Sequence, residues 1–209
     1  IVELAVGDTA GITIGIGFPT VTVAEARALD AGRKVFVRAV AQTIRDEFGD
    51  TSLYVRDDDA AIRIARILAP QIFPGDTLNV LGISGTRLGQ PVLVNVATFV
   101  MAIGSEPDPE PVTPSEVPIA RGGSLDAALV AVSGLTVEDT TRLGPNDLVL
   151  HTSYGATNVD VLVHQDGSFD FDAYPELSTI DVVGILVPAS AGGPWRLLPR
   201  SVEDITIAP

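Results

Sequence analysis

The chain has no cysteine and few residues of the types that most often carry chemistry. Among its 209 residues there are one methionine, one tryptophan and two histidines, His151 and His164. Without cysteine the protein can form neither a disulfide nor a thiolate metal site. Two histidines also fall short of the three or four ligands that zinc takes in proteins. We therefore expect no bound metal and no cofactor.

Basic residues are scarce as well. The chain has 13 of them against 27 acidic residues, which gives a net charge of −14, and Lys34 is its one lysine. Such a charge repels phosphate backbones, whereas tight nucleic-acid binding rests on a basic stripe. The overall charge therefore argues against a nucleic-acid partner.

Long apolar runs are missing too. No run approaches the roughly 18 residues that a membrane helix needs, so we predict no membrane span. Hydrophobic residues nevertheless make up 46% of the chain and charged residues 19%, a composition typical of globular proteins. The 20 glycines and 15 prolines, spread among short Val, Ile and Leu runs, favour an all-β class.

A segment rich in proline and acidic residues divides the chain. It reads GSEPDPEPVTPSEVP over residues 104–118 and predicts an extended, solvated linker. The predicted organisation is a strand extension over residues 1–17, one barrel over 18–103, the linker over 104–118 and a second barrel over 119–209. A short helix is predicted over 22–31, where Thr22 and Glu25 form a capping box and Gly32 follows.

The two halves echo each other. Phe73-Pro74 precedes a strand that contains Gly82, and Tyr174-Pro175 precedes a strand that contains Gly184. Glycine inside a strand marks a bulge or a sharp bend, as at the corner of a small barrel. Each half offers about five short strands, the number in a small Greek-key barrel. The pattern predicts an all-β protein of two tandem OB-like Greek-key barrels with an apolar N-terminal strand extension.

Two stretches carry a resemblance to a known group of proteins. The run Tyr-Val-Arg-Asp, Ala-Ile-Arg-Ile and Pro-Gly-Asp-Thr-Leu-Asn-Val-Leu-Gly within residues 54–82 resembles OB-fold modules of secreted bacterial proteins, which often occur in tandem. The run Trp-Arg-Leu-Leu-Pro-Arg-Ser-Val-Glu-Asp-Ile at 195–205 resembles the closing strand of the second module in such pairs. The resemblance spans residues 20–207 and implies an exported surface or accessory domain. It leaves the first residues uncovered.

No catalytic constellation stands out. Ser153 and Asp166 are nominal triad partners for His151 or His164, but no nucleophile elbow surrounds a serine. The run Asp57-Asp58-Asp59 is typical of a solvated turn and lacks the spacing of a calcium loop. We expect no catalytic residue, and hence that the protein is not an enzyme.

One cluster suits a ligand. Tyr54 lies in sequence beside Arg56, Arg63 and Arg66, the combination of aromatic and basic residues with which OB folds bind single strands. The alternative function is therefore an OB module of a secreted protein that binds single-stranded nucleic acid or oligosaccharide.

The N-terminal strand favours a different function. In GITIGIG, residues 11–17, isoleucines alternate with threonine and glycine, so that one face is apolar and the other nearly bare. An uncovered strand of this kind is prone to aggregate, so it must pair with its own first barrel, lie in the cleft between the two barrels, or pair with a neighbouring copy. Of these, we expect head-to-tail donation of the strand to a second copy, which builds an extracellular filament or surface layer. The expected subunit-interface residues are Val2, Leu4, Val6, Ile12, Ile14, Gly15, Ile16 and Gly17. Because the sequence starts at Ile1 without a methionine, we also expect a secreted protein whose signal peptide has been removed.

Overall fold

Five strands close into a first barrel. The computed structural model describes residues 17–65, 67, 71–164 and 170–208, without the side chain of Phe171. The strand order is β1-β2-β3-β5-β4, with β1 pairing antiparallel to β4 and β3 parallel to β5. The strands are β1 (Lys34–Ala41), β2 (Leu53–Arg56), β3 (Ala61–Ile64), β4 (Thr77–Arg87) and β5 (Gln90–Ala102).

A second barrel repeats this order. Its strands β7, β8, β9, β11 and β10 pair in sequence, and β10 pairs with β7 to close the ring. Again the third and fifth strands are parallel. Two short strands extend this sheet, β6 beside β7 and β12 beside β10. The prediction of two tandem OB-like barrels is confirmed. The strands are β6 (Glu110–Pro111), β7 (Leu129–Arg142), β8 (Asp147–Tyr154), β9 (Thr157–His164), β10 (Thr179–Pro188), β11 (Trp195–Leu198) and β12 (Ile205–Ile207).

One short α-helix precedes the first barrel. Helix α1 (Val23–Ala28) begins with the predicted capping box, in which Thr22 and Glu25 each accept a hydrogen bond from the other's backbone. It ends three residues earlier than predicted because Leu29 already adopts an extended backbone. Short 3₁₀ turns lie at Pro114–Glu116, Ala120–Gly123, Phe171–Ala173 and Val202–Asp204. Within the described ranges, no helix has the length and apolar character to cross a bilayer.

The two aromatic-proline turns, Phe73-Pro74 and Tyr174-Pro175, precede the fourth strand of the first and second barrel. At Gly82 the register of β4 against β5 shifts, so the predicted bulge is present, and an added Cβ would lie 3.0 Å from Val96. At Gly184 the pairing with β7 is regular, and an added Cβ would lie 3.0 Å from the Leu198 backbone in β11. Each glycine therefore allows the fifth strand to approach the fourth closely.

The segment between the barrels packs against the second one. Val112 and Val117 are buried in the core of the second barrel, and the Val112 N–H donates to the Ala131 carbonyl at 2.9 Å. On the outer side, Arg121 donates to Glu110 and Glu116, and this bonding lowers the pKa of Glu116 to about 2. The expectation of a solvated linker is therefore wrong at these two valines, whose apolar area the second barrel buries.

Buried polar contacts join the two barrels. Arg27 of α1 donates to the carbonyls of Ala61, Asp126 and Gly123, and its Nη2 lies 3.2 Å from the Asp126 carboxylate. Gln90 donates to the other oxygen of Asp126 at 2.6 Å. Burial raises the pKa of Asp126 despite these donors. Tyr54 and Ala61 belong to the hydrophobic core of the second barrel although they lie on strands of the first. Two residues of the first barrel are therefore buried in the core of the second, while most of the other core residues of the first barrel form a cluster of their own.

Most of the predicted donor strand falls outside the described residues, which begin at Gly17. Gly17 is exposed, with a φ of +76°. Just beyond it, Phe36 of β1 donates to the Pro19 carbonyl at 2.9 Å, and Val21 donates to the Phe36 carbonyl at 3.0 Å. The residues that directly follow the predicted extension are thus bonded to the first barrel of their own chain.

Candidate ligand-binding cleft between the barrels

A cleft of about 200 Å³ opens where the two barrels meet. The first barrel contributes residues from β2, β3 and the β4–β5 hairpin, and the second contributes residues from β8, β9, β10 and β11. The polar groups in its wall are three arginines, two aspartates, one glutamine and one histidine: Arg63, Arg87, Arg196, Asp50, Asp147, Gln90 and His164.

The three arginines come from separate strands and differ in exposure. Arg87 is exposed at the end of β4, Arg196 is half-buried in β11, and Arg63 in β3 is only 6% exposed. Burial lowers the pKa of Arg196. Within the described part of the chain, the buried Nε atoms of Arg63 and Arg196 have no hydrogen-bond partner. Two of the three arginines therefore keep one donor each that no described residue satisfies.

Two carboxylates partly offset these charges. Asp50 pairs with Arg63 and also accepts from the Ser52 N–H at 3.0 Å. Asp147 lies 2.5 Å from Nδ1 of His164 across the β8–β9 pair. With three guanidinium groups against two carboxylates, the cleft is locally positive in a protein that carries −14 overall.

Aromatic rings form the floor of the cleft. Tyr54 is 3% exposed, and its ring meets that of Phe48 edge to face, with centroids 5.9 Å apart. The guanidinium carbon of Arg63 lies 5.9 Å from the Tyr54 centroid. Burial raises the pKa of the Tyr54 hydroxyl. With its ring covered in this way, Tyr54 holds Arg63 in place and offers no open face to a ligand.

The structure brings two of the four predicted ligand residues together. Tyr54 and Arg63 are paired in the cleft, because residues directly opposite each other on β2 and β3 share a face. Arg56, two residues further along β2, donates to the Asp57 carbonyl at 3.4 Å and does not line the cleft. Arg66 lies outside the described residues.

Sequence reasoning missed Arg87 and Arg196. Both are far in sequence from Tyr54, and the barrel order brings them to the cleft through β4 and β11. In the sequence, Arg196 directly follows the single tryptophan, Trp195, and this pairing of an aromatic with a basic residue is the feature that could have pointed to it.

The residues that the sequence analysis considered for catalysis or calcium binding make hydrogen bonds within the sheets and turns. His151 bridges β7, β8 and β9, with Nδ1 2.8 Å from Asp160 and Nε2 3.0 Å from Thr141, on an exposed sheet face. Ser153 donates to Glu138. Asp57 accepts from the N–H groups of Asp59 and Ala60, as expected for a turn.

Metal ligands do not cluster. Across the described ranges, no three His, Asp or Glu side chains are placed to hold a metal ion together. The absence of catalysis stays a prediction.

The sequence matches no family model and no curated protein. Among solved structures, a murine DNA-binding protein bound with double-stranded DNA is 11% identical with a TM-score of 0.44, over 82% of this chain and 93% of that one. A replication protein A heterotrimer bound to single-stranded DNA is 11% identical with a TM-score of 0.37, over 87% of this chain and 51% of that one. Asparaginyl-tRNA synthetase from Pyrococcus horikoshii is 18% identical with a TM-score of 0.36. That match covers 46% of this chain and 22% of the synthetase, about a fifth of its length.

These comparisons correct two expectations. The self-assembling extracellular filament is wrong, and so is the argument against a nucleic-acid partner, because the matched structures include proteins bound to double-stranded and single-stranded DNA. DNA binding is a property of those proteins. Nothing in the comparisons supports the resemblance to secreted bacterial accessory proteins, and secretion itself stays a prediction. The strand order of each barrel identifies it as an OB fold, and the likenesses agree with that fold.

Proposed function

We propose that the protein is a non-catalytic module that binds single-stranded nucleic acid in the cleft between its two barrels. One observation carries the proposal: arginines from both barrels converge there, and two of them keep a buried Nε that has no partner among the described residues. A buried donor without an acceptor costs about 1–3 kcal/mol. Phosphate oxygens are acceptors that match the guanidinium group in charge and geometry. A phosphate that enters the cleft can therefore bind guanidinium groups in its wall, of which that of Arg87 is the exposed one.

The shape of the cleft favours a single strand. Its volume of about 200 Å³ lies between two barrel walls that meet at an aromatic floor. A flexible single strand can bend its backbone into such a space, whereas a duplex is stiff over about 150 base pairs. The negative charge of the remaining surface also limits the contact to a short length of backbone.

The salt dependence of binding can be estimated from the arginines. For single strands, the slope of log K against log salt concentration is about −0.7 per neutralised phosphate. Three arginines at three phosphates give a slope of about −2. The acidic surface lowers the affinity itself, because it repels any backbone that leaves the cleft.

The test measures the fluorescence anisotropy of a labelled oligo-dT against the intact chain at several salt concentrations. We expect saturable binding with a slope of about −2. Arg87→Gln should weaken binding about tenfold or more, because a hydrogen bond to a charged group is lost. Arg87 suits this test because it is exposed at the end of β4.

The matched control is Arg38→Gln, which makes the same charge change at an exposed residue of β1 that does not line the cleft. It should bind like the unaltered protein. The proposal fails if low salt yields no binding, if both variants bind equally, or if a neutral oligosaccharide binds in place of oligo-dT.

A further inference from the structure

A second hollow adjoins the cleft and contains the one tryptophan of the chain. It measures about 200 Å³ and is lined by Leu88 and Gly89 of the first barrel and by Pro188, Trp195 and two glycines of the second. The two barrels approach closely here, since a Cβ added to Gly89 would lie 3.7 Å from the Gly192 nitrogen. Leu88 and Pro188 line both the hollow and the cleft, so the two spaces adjoin at these residues.

Trp195 is placed to offer a flat apolar surface. It is half-buried and packs against the core of the second barrel, while Pro188 lies opposite it in the β10–β11 pair. Leu88 is 51% exposed at the hairpin. Apart from Gly192 and its two chain neighbours, no described residue has an atom within 4 Å of the point that a Cβ on Gly192 would occupy. The hollow thus combines an anchored ring with open space and with apolar neighbours.

Arginines flank this surface in sequence. Trp195 precedes Arg196, and Arg87 precedes Leu88. Successive residues of a strand point to opposite faces, so Trp195 lines the hollow while Arg196 lines the cleft. A nucleic-acid strand that passes Leu88 and Pro188 from the cleft to the hollow would have phosphates beside the arginines and a base beside the tryptophan.

We propose that one base of the bound strand stacks on Trp195 while the phosphates beside it contact Arg87 and Arg196. This inference rests on the proposed function and adds the subsite that recognises the base. Every base has a face that can stack, so binding should tolerate different sequences. Bases in a duplex are already stacked, and the subsite therefore selects for unpaired bases.

Fluorescence tests the proposal directly, because all tryptophan emission of this chain comes from Trp195. Titration of the intact protein with oligo-dT should quench this emission in step with the anisotropy. An oligonucleotide of the same length without bases keeps its phosphates, so it should bind about tenfold to a hundredfold more weakly and leave the emission unchanged. This comparison needs no variant.

Variants give the second arm of the test. Trp195→Ala should weaken oligo-dT binding about tenfold to a hundredfold, and Trp195→Phe should retain most of the affinity. The matched control is Tyr154→Ala, which removes another partly exposed aromatic ring of the second barrel and should bind normally.

The outcomes separate the two proposals. Suppose that oligo-dT binds and that Arg87→Gln weakens this binding. If the Trp195 emission then stays constant and the oligonucleotide without bases binds as tightly as oligo-dT, stacking on Trp195 is wrong and the proposed function stands. If oligo-dT does not bind the intact protein, both are wrong. If Trp195→Ala fails to fold, the comparison of oligo-dT with the oligonucleotide without bases on the intact protein decides whether a base stacks on Trp195.

Discussion

Gln42 links the two barrels through its side-chain amide. It is fully buried, its Nε2 donates to the Ala127 carbonyl at 3.0 Å, and its Oε1 accepts from the Leu129 N–H at 2.8 Å. The amide therefore pairs with the backbone at the start of β7 much as a neighbouring strand would. Both bonds are shielded from water, which makes the loss of either one costly.

We predict that Gln42→Leu lowers the free energy of unfolding by about 2–5 kcal/mol, because it leaves one buried carbonyl and one buried N–H unsatisfied. Urea denaturation of the intact chain measures this loss. Gln71→Leu makes the same change at an exposed position and should shift the free energy by less than about 0.5 kcal/mol. Equal effects of the two substitutions would contradict the role of Gln42.

Some residues of the cleft could be predicted from the sequence and others could not. Tyr54 and Arg63 could be grouped in advance because they lie on adjacent strands joined by a short turn. Arg196 could not be added, because its approach depends on how two barrels pack against each other. That packing is set by side chains such as Gln42 and Arg27, whose polar character alone gives no indication of a buried position.

At the scale of elements, the turn before β4 depends on a close backbone approach. Gly75 has a φ of +93°, and its N–H donates to the Ala41 carbonyl at 2.8 Å. A Cβ there would lie 2.4 Å from the Ser105 carbonyl oxygen. This contact ties the start of the inter-barrel segment to the first barrel.

Gly75→Ala should therefore destabilise the protein more than Gly32→Ala does. Gly32 has nearly the same φ, +92°, but no atom lies within 4 Å of its Cβ position. Both substitutions carry the backbone cost of about 1–2 kcal/mol for a left-handed residue. Gly75→Ala adds an overlap that we expect to cost about another 1–3 kcal/mol, measured as the difference between the two thermal or urea unfolding curves. Indistinguishable curves would rule out the close approach.

Elements were the most predictable part of the molecule. The capping box placed the start of α1, and the paired aromatic-proline turns and strand glycines placed the fourth strand of each barrel, because these features act locally. The burial of Val112 and Val117 was not predicted. Their segment is rich in proline and charge, and only the second barrel supplies the apolar surface that covers them.

For the whole molecule, the buried contacts between the barrels predict a single cooperative transition. Tyr54 and Ala61 of the first barrel are packed in the core of the second, and Arg200 of the second donates to the Gln42 carbonyl of the first at 3.1 Å. Neither barrel can unfold without exposing groups that the other covers. We expect both to unfold together, as small cooperative units do.

Two probes check this expectation. Far-UV circular dichroism follows the strands of both barrels, whereas the emission of Trp195 reports on the second. Their midpoints in urea should coincide. Separate midpoints would show that the barrels unfold independently.

The connecting peptide is therefore a minor part of what joins the two halves. Tyr54 and Ala61 lie on strands of the first barrel but complete a hydrophobic cluster that belongs mostly to the second. The division of the core residues into two clusters therefore differs from the division of the strands into two barrels. If the chain were cut at the proline-rich segment, each half would expose surface that the other half covers in the intact protein. We therefore expect the pair of barrels, and neither barrel alone, to fold independently.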